Sequence, residues 1–196
     1  TLTDTLLKKE FDVCREKQIP HRIMVANKLE HLVPYKTESI KDKKGNDKLL
    51  IDVWRDSRNA GLKHRYKKTN IILQGGVDDV WFDKVKEELI VVDYKSQANN
   101  RPVVTWEYLS GTYHQGYKIQ LDFYAYLLLG MGFPVAPIGY FYVCNADRSA
   151  DGFYGNMGFS ETLVPYKWDS SWIDGALIDM LSVLNSTVFP DENVAF

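Results

Sequence analysis

Apolar residues recur at helical spacing near the start of the chain. Leu6, Leu7, Phe11 and Cys14 predict a helix over residues 2–17, stopped by Pro20. Residues 21–35 read equally as a short strand or as a helix ending before Pro34. The stretch 36–48 is polar and lysine-rich around Gly45, and it predicts a loop. Leu50, Val53, Trp54 and Leu62 then suggest a helix over 49–64. TNIILQ at 69–74 predicts a strand, which GGVDDVWF either continues or pairs with. Residues 82–88 are a charged turn, and LIVVDY at 88–94 has the apolar, β-branched run of a central strand. After the loop SQANNRP, the run VVTWEYL predicts a further strand, completing a three-stranded antiparallel meander. Residues 114–129 read as a largely buried helix, 136–145 and 159–165 as strands with a glycine-rich turn between them, and 170–187 as a last helix.

These elements imply an α/β fold with a central mixed sheet flanked by helices. A chain of 196 residues is expected to form one domain over 1–196, with an N-terminal extension at 1–48, a core at 49–187 and a tail at 188–196. Two cysteines, Cys14 and Cys144, are too few for a disulfide framework or a four-thiolate metal site. The opening TLTDTLLKKE lacks the features of a secretory signal. The longest apolar stretch is cut by Gly130, Gly132, Pro134 and Pro137, which excludes a membrane span. The expectation is a cytoplasmic protein with no membrane partner. Net charge is −2, but its distribution is uneven. Residues 36–68 carry eleven Lys/Arg against five Asp/Glu, whereas 151–196 carry one against seven. That asymmetry suits one positive side for an anionic partner, and equally two ordinary solvated faces.

The chemistry concentrates in residues 75–95. Asp93 and Lys95 lie at i and i+2 of a strand, so both point to one face, while Tyr94 turns away and keeps its carbonyl available. Asp78 is placed beside Asp93 by a short antiparallel pairing. Two carboxylates that hold a divalent cation, with a lysine beside them, suit phosphodiester hydrolysis. A structural ion pair is the alternative. The triplet alone decides nothing, since Asp42-x-Lys44 repeats it inside a polar loop. What distinguishes Asp93 is the apolar strand before it, because a charge there needs compensation. Asp79 adjoins Asp78, but neighbours on a strand face opposite ways, so only one should face the site unless a bulge intervenes, and the other meets a nearby basic group or sits at the strand end. Gln120 and Tyr124, four apart, share one helix face, either at the site or as a buried pair.

In order along the chain stand Gly75-Gly76-Val77-Asp78, Asp93-Tyr94-Lys95, and Gln120 with Tyr124. This series resembles the PD-(D/E)xK nuclease superfamily, in particular its RecB-like, exonuclease-like branch. The resemblance covers about residues 60–130 and implies a restriction-endonuclease-like core. It implies that Asp78 and Asp93 bind Mg²⁺ or Mn²⁺, that Lys95 is the catalytic lysine, and that Gln120 and Tyr124 touch substrate or catalytic groups. It also implies DNA as partner and products with 5′-phosphate ends. His64 is located where relatives place a ligand histidine, and it joins Asp78, Asp93 and the Tyr94 carbonyl as an expected ligand. The iron–sulfur cluster of many relatives is not expected, for lack of cysteines. A non-catalytic nucleic-acid-binding or assembly module that keeps the fold is the alternative. Specificity would come from a protein partner or a homo-oligomer. KHRYKK at 63–68, KDKKGNDK at 41–48 and the loop residues Asn99, Asn100 and Arg101 are candidate phosphate contacts. Trp81, Trp106 and Tyr108 are candidate stacking residues, of which at least two are expected in the core.

Overall fold

The computed structural model describes residues 2–41 and 45–187. Asp42, Lys44, the middle of the lysine-rich stretch and the tail 188–196 lie outside the described residues. The chain runs α1 (Leu2–Lys17), α2 (Arg22–Ala26), β1 (Leu32–Pro34), β2 (Ser39–Lys41), β3 (Asp47–Leu49), α3 (Leu50–Arg55), β4 (Leu62–Arg65) and β5 (Ile72–Gly75). It continues through β6 (Asp79–Asp83), β7 (Glu88–Gln97), a 3-10 turn (Thr112–His114), α4 (Gln115–Gly130), β8 (Ile138–Ala146), β9 (Phe159–Lys167) and α5 (Ile173–Leu184).

Five strands form a mixed sheet in the order β1-β6-β7-β8-β9. The β7–β8 pair is parallel and its neighbours are antiparallel. A parallel pair needs a crossover, and α4 supplies it between β7 and β8. β7 alternates between two cores, as strand geometry requires. Ile90, Val92 and Tyr94 pack with Leu7 and Phe11 of α1, together with Trp81 and Tyr142. Leu89 and Val91 pack on the opposite side with Leu121, Ala125 and Leu128 of α4. Asp93 and Lys95 therefore share the α4 face.

Several expectations need correction. Residues 103–109 form hydrogen-bonded turns instead of a strand, with Glu107 and Tyr108 both donating to the Val104 carbonyl. No meander forms there because β6 and β8 already occupy both edges of β7. The helix foreseen over 49–64 stops at Arg55. Asp56 accepts the Asn59 amide in a tight turn, and Gly61 at φ +78° redirects the chain into β4. The ambiguous 21–35 contains both α2 and β1, and the polar stretch after it contributes the β2–β3 hairpin. Within the stretch expected as an N-terminal extension, α1 covers one face of the sheet and β1 is an edge strand paired with β6.

α1 is held to the sheet by charge as well as apolar area. Asp79 is fully buried and is ion-paired with Arg15 of α1 and with Arg55 of α3, the latter at 3.2 Å. The Tyr94 hydroxyl donates to Asp79 at 2.8 Å. Burial pushes the Asp79 carboxyl up, but the two guanidinium groups outweigh it and hold it below the usual range.

Candidate active site

The β6–β7 register creates the site. Asp79 pairs with Val92 and Val80 with Val91, so the next position back sets Asp78 opposite Asp93. Asp78 accepts the Tyr94 amide at 2.9 Å, continuing the ladder through a side chain. In a strand, the N–H and C=O of one residue leave on the same edge, so the Tyr94 carbonyl faces the Asp78 side.

Asp93 is buried at 1% exposure, and neither carboxylate oxygen accepts a hydrogen bond from the described residues. Lys95 Nζ lies 2.6 Å from Asp93 Oδ2, close enough for an ion pair though not aligned as a hydrogen bond. Burial, and then the neighbouring Asp78 charge, push Asp93 up to about 7 against the pull of Lys95. Burial also raises Asp78, opposed by the Tyr94 amide and by Lys8 of α1, which stands 3.4 Å away.

α4 positions the lysine. Lys95 donates to Gln120 Oε1 at 2.9 Å, and Gln120 Nε2 donates to the Tyr124 hydroxyl at 2.8 Å. The Lys95 ammonium also lies 4.1 Å above the ring centroid of Tyr117. Gly75 links the first motif to this helix. A Cβ there would lie 2.7 Å from Tyr124 Cε1, so only glycine lets the ring lie against β5. Likewise a Cβ at Gly76 would meet Ser57 at 2.5 Å.

Asp78, Asp93, Lys95, Gln120 and Tyr124 are thus brought into one connected set, with Tyr94 at its edge. His64 is not part of that set. It lies on β4 beside the C-terminal end of α4, its ring 6.2 Å from Tyr126 and against Gly130. Gly130 is about 15 Å along the helix axis from Gln120, at ~1.5 Å per residue. In the KHRYKK stretch, Lys67 is 3.3 Å from Asp174 and Arg65 donates to the Thr69 carbonyl. Trp81 and Tyr108 are core residues, while Trp106 is 83% exposed.

Sequence reasoning missed Lys8, Arg15, Arg55 and Tyr117. The spacing Leu7, Phe11, Arg15 did carry a signal. It puts an arginine on the apolar stripe of α1, where only a buried carboxylate could compensate it.

Among the described residues, no group of three or more His, Cys, Asp or Glu side chains gathers as a metal cluster. Two carboxylates and a backbone carbonyl nevertheless fit a hard cation that completes its shell with water or phosphate oxygens. The two oxygens of Asp93 left without hydrogen bonds are acceptors such an ion would satisfy.

A mixed sheet flanked by helices, with this acidic pair and lysine on adjacent strands, defines a restriction-endonuclease-like α/β core. The chain belongs to the PD-(D/E)XK nuclease superfamily, whose profile matches residues 3–177. No curated protein and no solved structure matches it. No described helix is long and apolar enough to cross a membrane.

Proposed function

We propose that this protein is a deoxyribonuclease of the RecB-like branch, without an iron–sulfur cluster, that hydrolyses DNA phosphodiester bonds with Mg²⁺ or Mn²⁺. The observation that carries the reading is the buried Asp93 carboxylate set against Asp78, with the Lys95 ammonium 2.6 Å away. Lys95 offsets part of that charge, but the facing Asp78 still pushes Asp93 upward, and a divalent cation between the two carboxylates would relieve their repulsion. Asp78, Asp93 and the Tyr94 carbonyl are the proposed ligands. A divalent cation there supplies neutralisation of phosphate charge and a water of lowered pKa.

The chain's own residues do the positioning. Gln120, steadied by Tyr124, fixes the Lys95 ammonium on the Asp93 side of the cleft. From there Lys95 donates to the attacking water or to a phosphate oxygen as charge builds in the transition state. Water adds to phosphorus in line, the bond to the 3′ oxygen breaks, and that oxygen takes a proton. The products are a 5′-phosphate and a 3′-hydroxyl. The donor set supports Mg²⁺ or Mn²⁺, because all three proposed ligands are oxygens.

The test is cleavage of labelled DNA by the purified chain with Mn²⁺, beside Asp93→Ala and Lys95→Ala. Wild type is expected to cut and both variants to lose at least about 100-fold in rate, as removing a group that stabilises transition-state charge does. Equal degradation by all three would identify a contaminant and overturn the reading.

A further inference from the structure

Two ammonium groups reach the acidic pair, one from each face of the sheet. Lys95 approaches Asp93 from the α4 face and lies 2.6 Å from Oδ2. Lys8 approaches Asp78 from the α1 face and lies 3.4 Å from Oδ1. The proposed chemistry uses Lys95 and leaves Lys8 without a task.

The position of Lys8 follows from how α1 lies. Leu7 and Phe11 are buried with Trp81 and Tyr94, and Lys8 adjoins that stripe. Helical side chains lean toward the N-terminus, so Lys8 reaches back over the first turn. There its ammonium stands 3.0 Å from Asp4 Oδ1, one turn earlier on the same side. This end of α1 is tied to β7, because the Thr3 and Ser96 hydroxyls share a hydrogen bond. Ser96 directly follows Lys95.

The two lysine pairs differ in access to water. Side-chain exposure is 15% for Lys95 and 1% for Asp93, but 23% for Lys8 and 28% for Asp78. Lys95 is also fixed by Gln120 and by the Tyr117 ring. Lys8 is held through the carboxylates of Asp4 and Asp78. A solvated ion pair at that separation is weak and gives way to a stronger partner.

A divalent ion on Asp78 is such a partner, and it repels an ammonium a few ångströms away. Lys8 then has to leave Asp78. It keeps Asp4 beside it and has three donors to direct elsewhere. The anion that the substrate brings to this place is a backbone phosphate.

We propose that Lys8 is a displaceable counter-ion of the cation site. It holds Asp78 until a divalent ion takes that carboxylate, and it then binds a phosphate of the DNA backbone. The inference rests on the cation-site reading of Asp78 and Asp93, and adds to it a residue from α1.

The full chain is titrated calorimetrically with Mn²⁺ as wild type, Lys8→Met, Lys8→Arg and Lys9→Met. Lys8→Met removes the charge and keeps the length, while Lys9→Met removes the same charge from an exposed neighbour. Lys8→Met is expected to bind Mn²⁺ at least about 10-fold more tightly. One charge at this distance alters the proton affinity of a carboxylate on that scale. Lys8→Arg and Lys9→Met stay close to wild type. Binding of a fluorescein-labelled DNA oligonucleotide is then followed against salt, with Lys95→Ala in every chain so that cutting is at least about 100-fold slower. In Mn²⁺, Lys8→Met is expected to reduce the slope of log K against log salt by about 1, the loss of one phosphate contact. In EDTA, where Lys8 stays on Asp78, the slope does not change. Thermal midpoints in EDTA confirm folding, and Lys8→Gln replaces Lys8→Met should the latter unfold. Mn²⁺ affinity in Lys8→Met no tighter than wild type, or an unchanged slope in Mn²⁺, would overturn the inference and leave the cation site standing. Absence of Mn²⁺ binding by wild type would overturn the cation-site reading and the inference with it.

Discussion

Burial and the facing Asp78 charge raise Asp93 well above an ordinary carboxylate. Without a cation, the folded chain keeps its proton up to about pH 7. An unfolded Asp releases it near the ordinary value of about 3.9. The folded state therefore binds more protons through that interval, and its stability falls as pH rises. This contribution is fully present below the unfolded value and is lost as pH passes about 7. Metal-free wild type should thus have a lower thermal midpoint at pH 8 than at pH 5. In Asp93→Asn that difference should shrink, since its amide does not titrate; an unchanged pH dependence would count against the assignment. Gln120 acts one step out, through Lys95. Gln120→Ala should slow cleavage by about 10–100-fold, the usual cost of removing a partner that orients a functional group. Its circular dichroism spectrum should match wild type, which separates misplacement of Lys95 from unfolding.

The residues of the site were legible where chemistry and strand period coincide. Asp78, Asp93 and Lys95 could be placed relative to one another because a hairpin register and a two-residue alternation fix them. Lys8 and Tyr117 could not, since each reaches the site only through packing between elements distant in sequence.

At the scale of elements, α1 changes most between sequence and structure. Its helical period was plain, but nothing local told which surface its apolar stripe covers. The answer lies in Asp79, 64 residues from Arg15 and joined to it by a buried ion pair. Without Arg15 the buried Asp79 keeps Arg55 and the Tyr94 hydroxyl but loses one charged partner, so Arg15→Ala should cost about 1.5–3 kcal/mol in a urea unfolding experiment. A loss below about 1 kcal/mol, typical of exposed pairs, would show that α1 is only loosely attached. The segment 103–109 illustrates the opposite failure. Its apolar and β-branched residues fit a strand by composition, yet β7 offered no open edge for it to join. Strand propensity describes a fit to a sheet surface, and it cannot report whether the edge is taken.

At the scale of the molecule, the α/β class and the helices on both faces were readable from the order of elements. The strand order was not. β1 pairs with β6 across some fifty residues, as in Val33 opposite Phe82, and no local pattern encodes that choice. Charge asymmetry also proved less simple than its tally. Lys67 from the basic stretch meets Asp174 from the acidic C-terminal stretch at 3.3 Å, so part of the imbalance is cancelled by pairing on the surface. What the whole arrangement achieves is convergence. α1 closes one face of β7, α4 supplies Gln120 and Tyr124 on the other, and the sheet register sets Asp78 beside Asp93.

In the proposed reading these two carboxylates share one divalent cation. Calorimetric titration of the chain with Mn²⁺ at pH 8 tests it most directly, with Asp78→Ala, Asp93→Ala and His64→Ala run beside wild type. Wild type is expected to bind one ion per chain, neither aspartate variant to bind measurably, and His64→Ala to keep wild-type affinity. Undiminished Mn²⁺ binding after loss of Asp93 would contradict it.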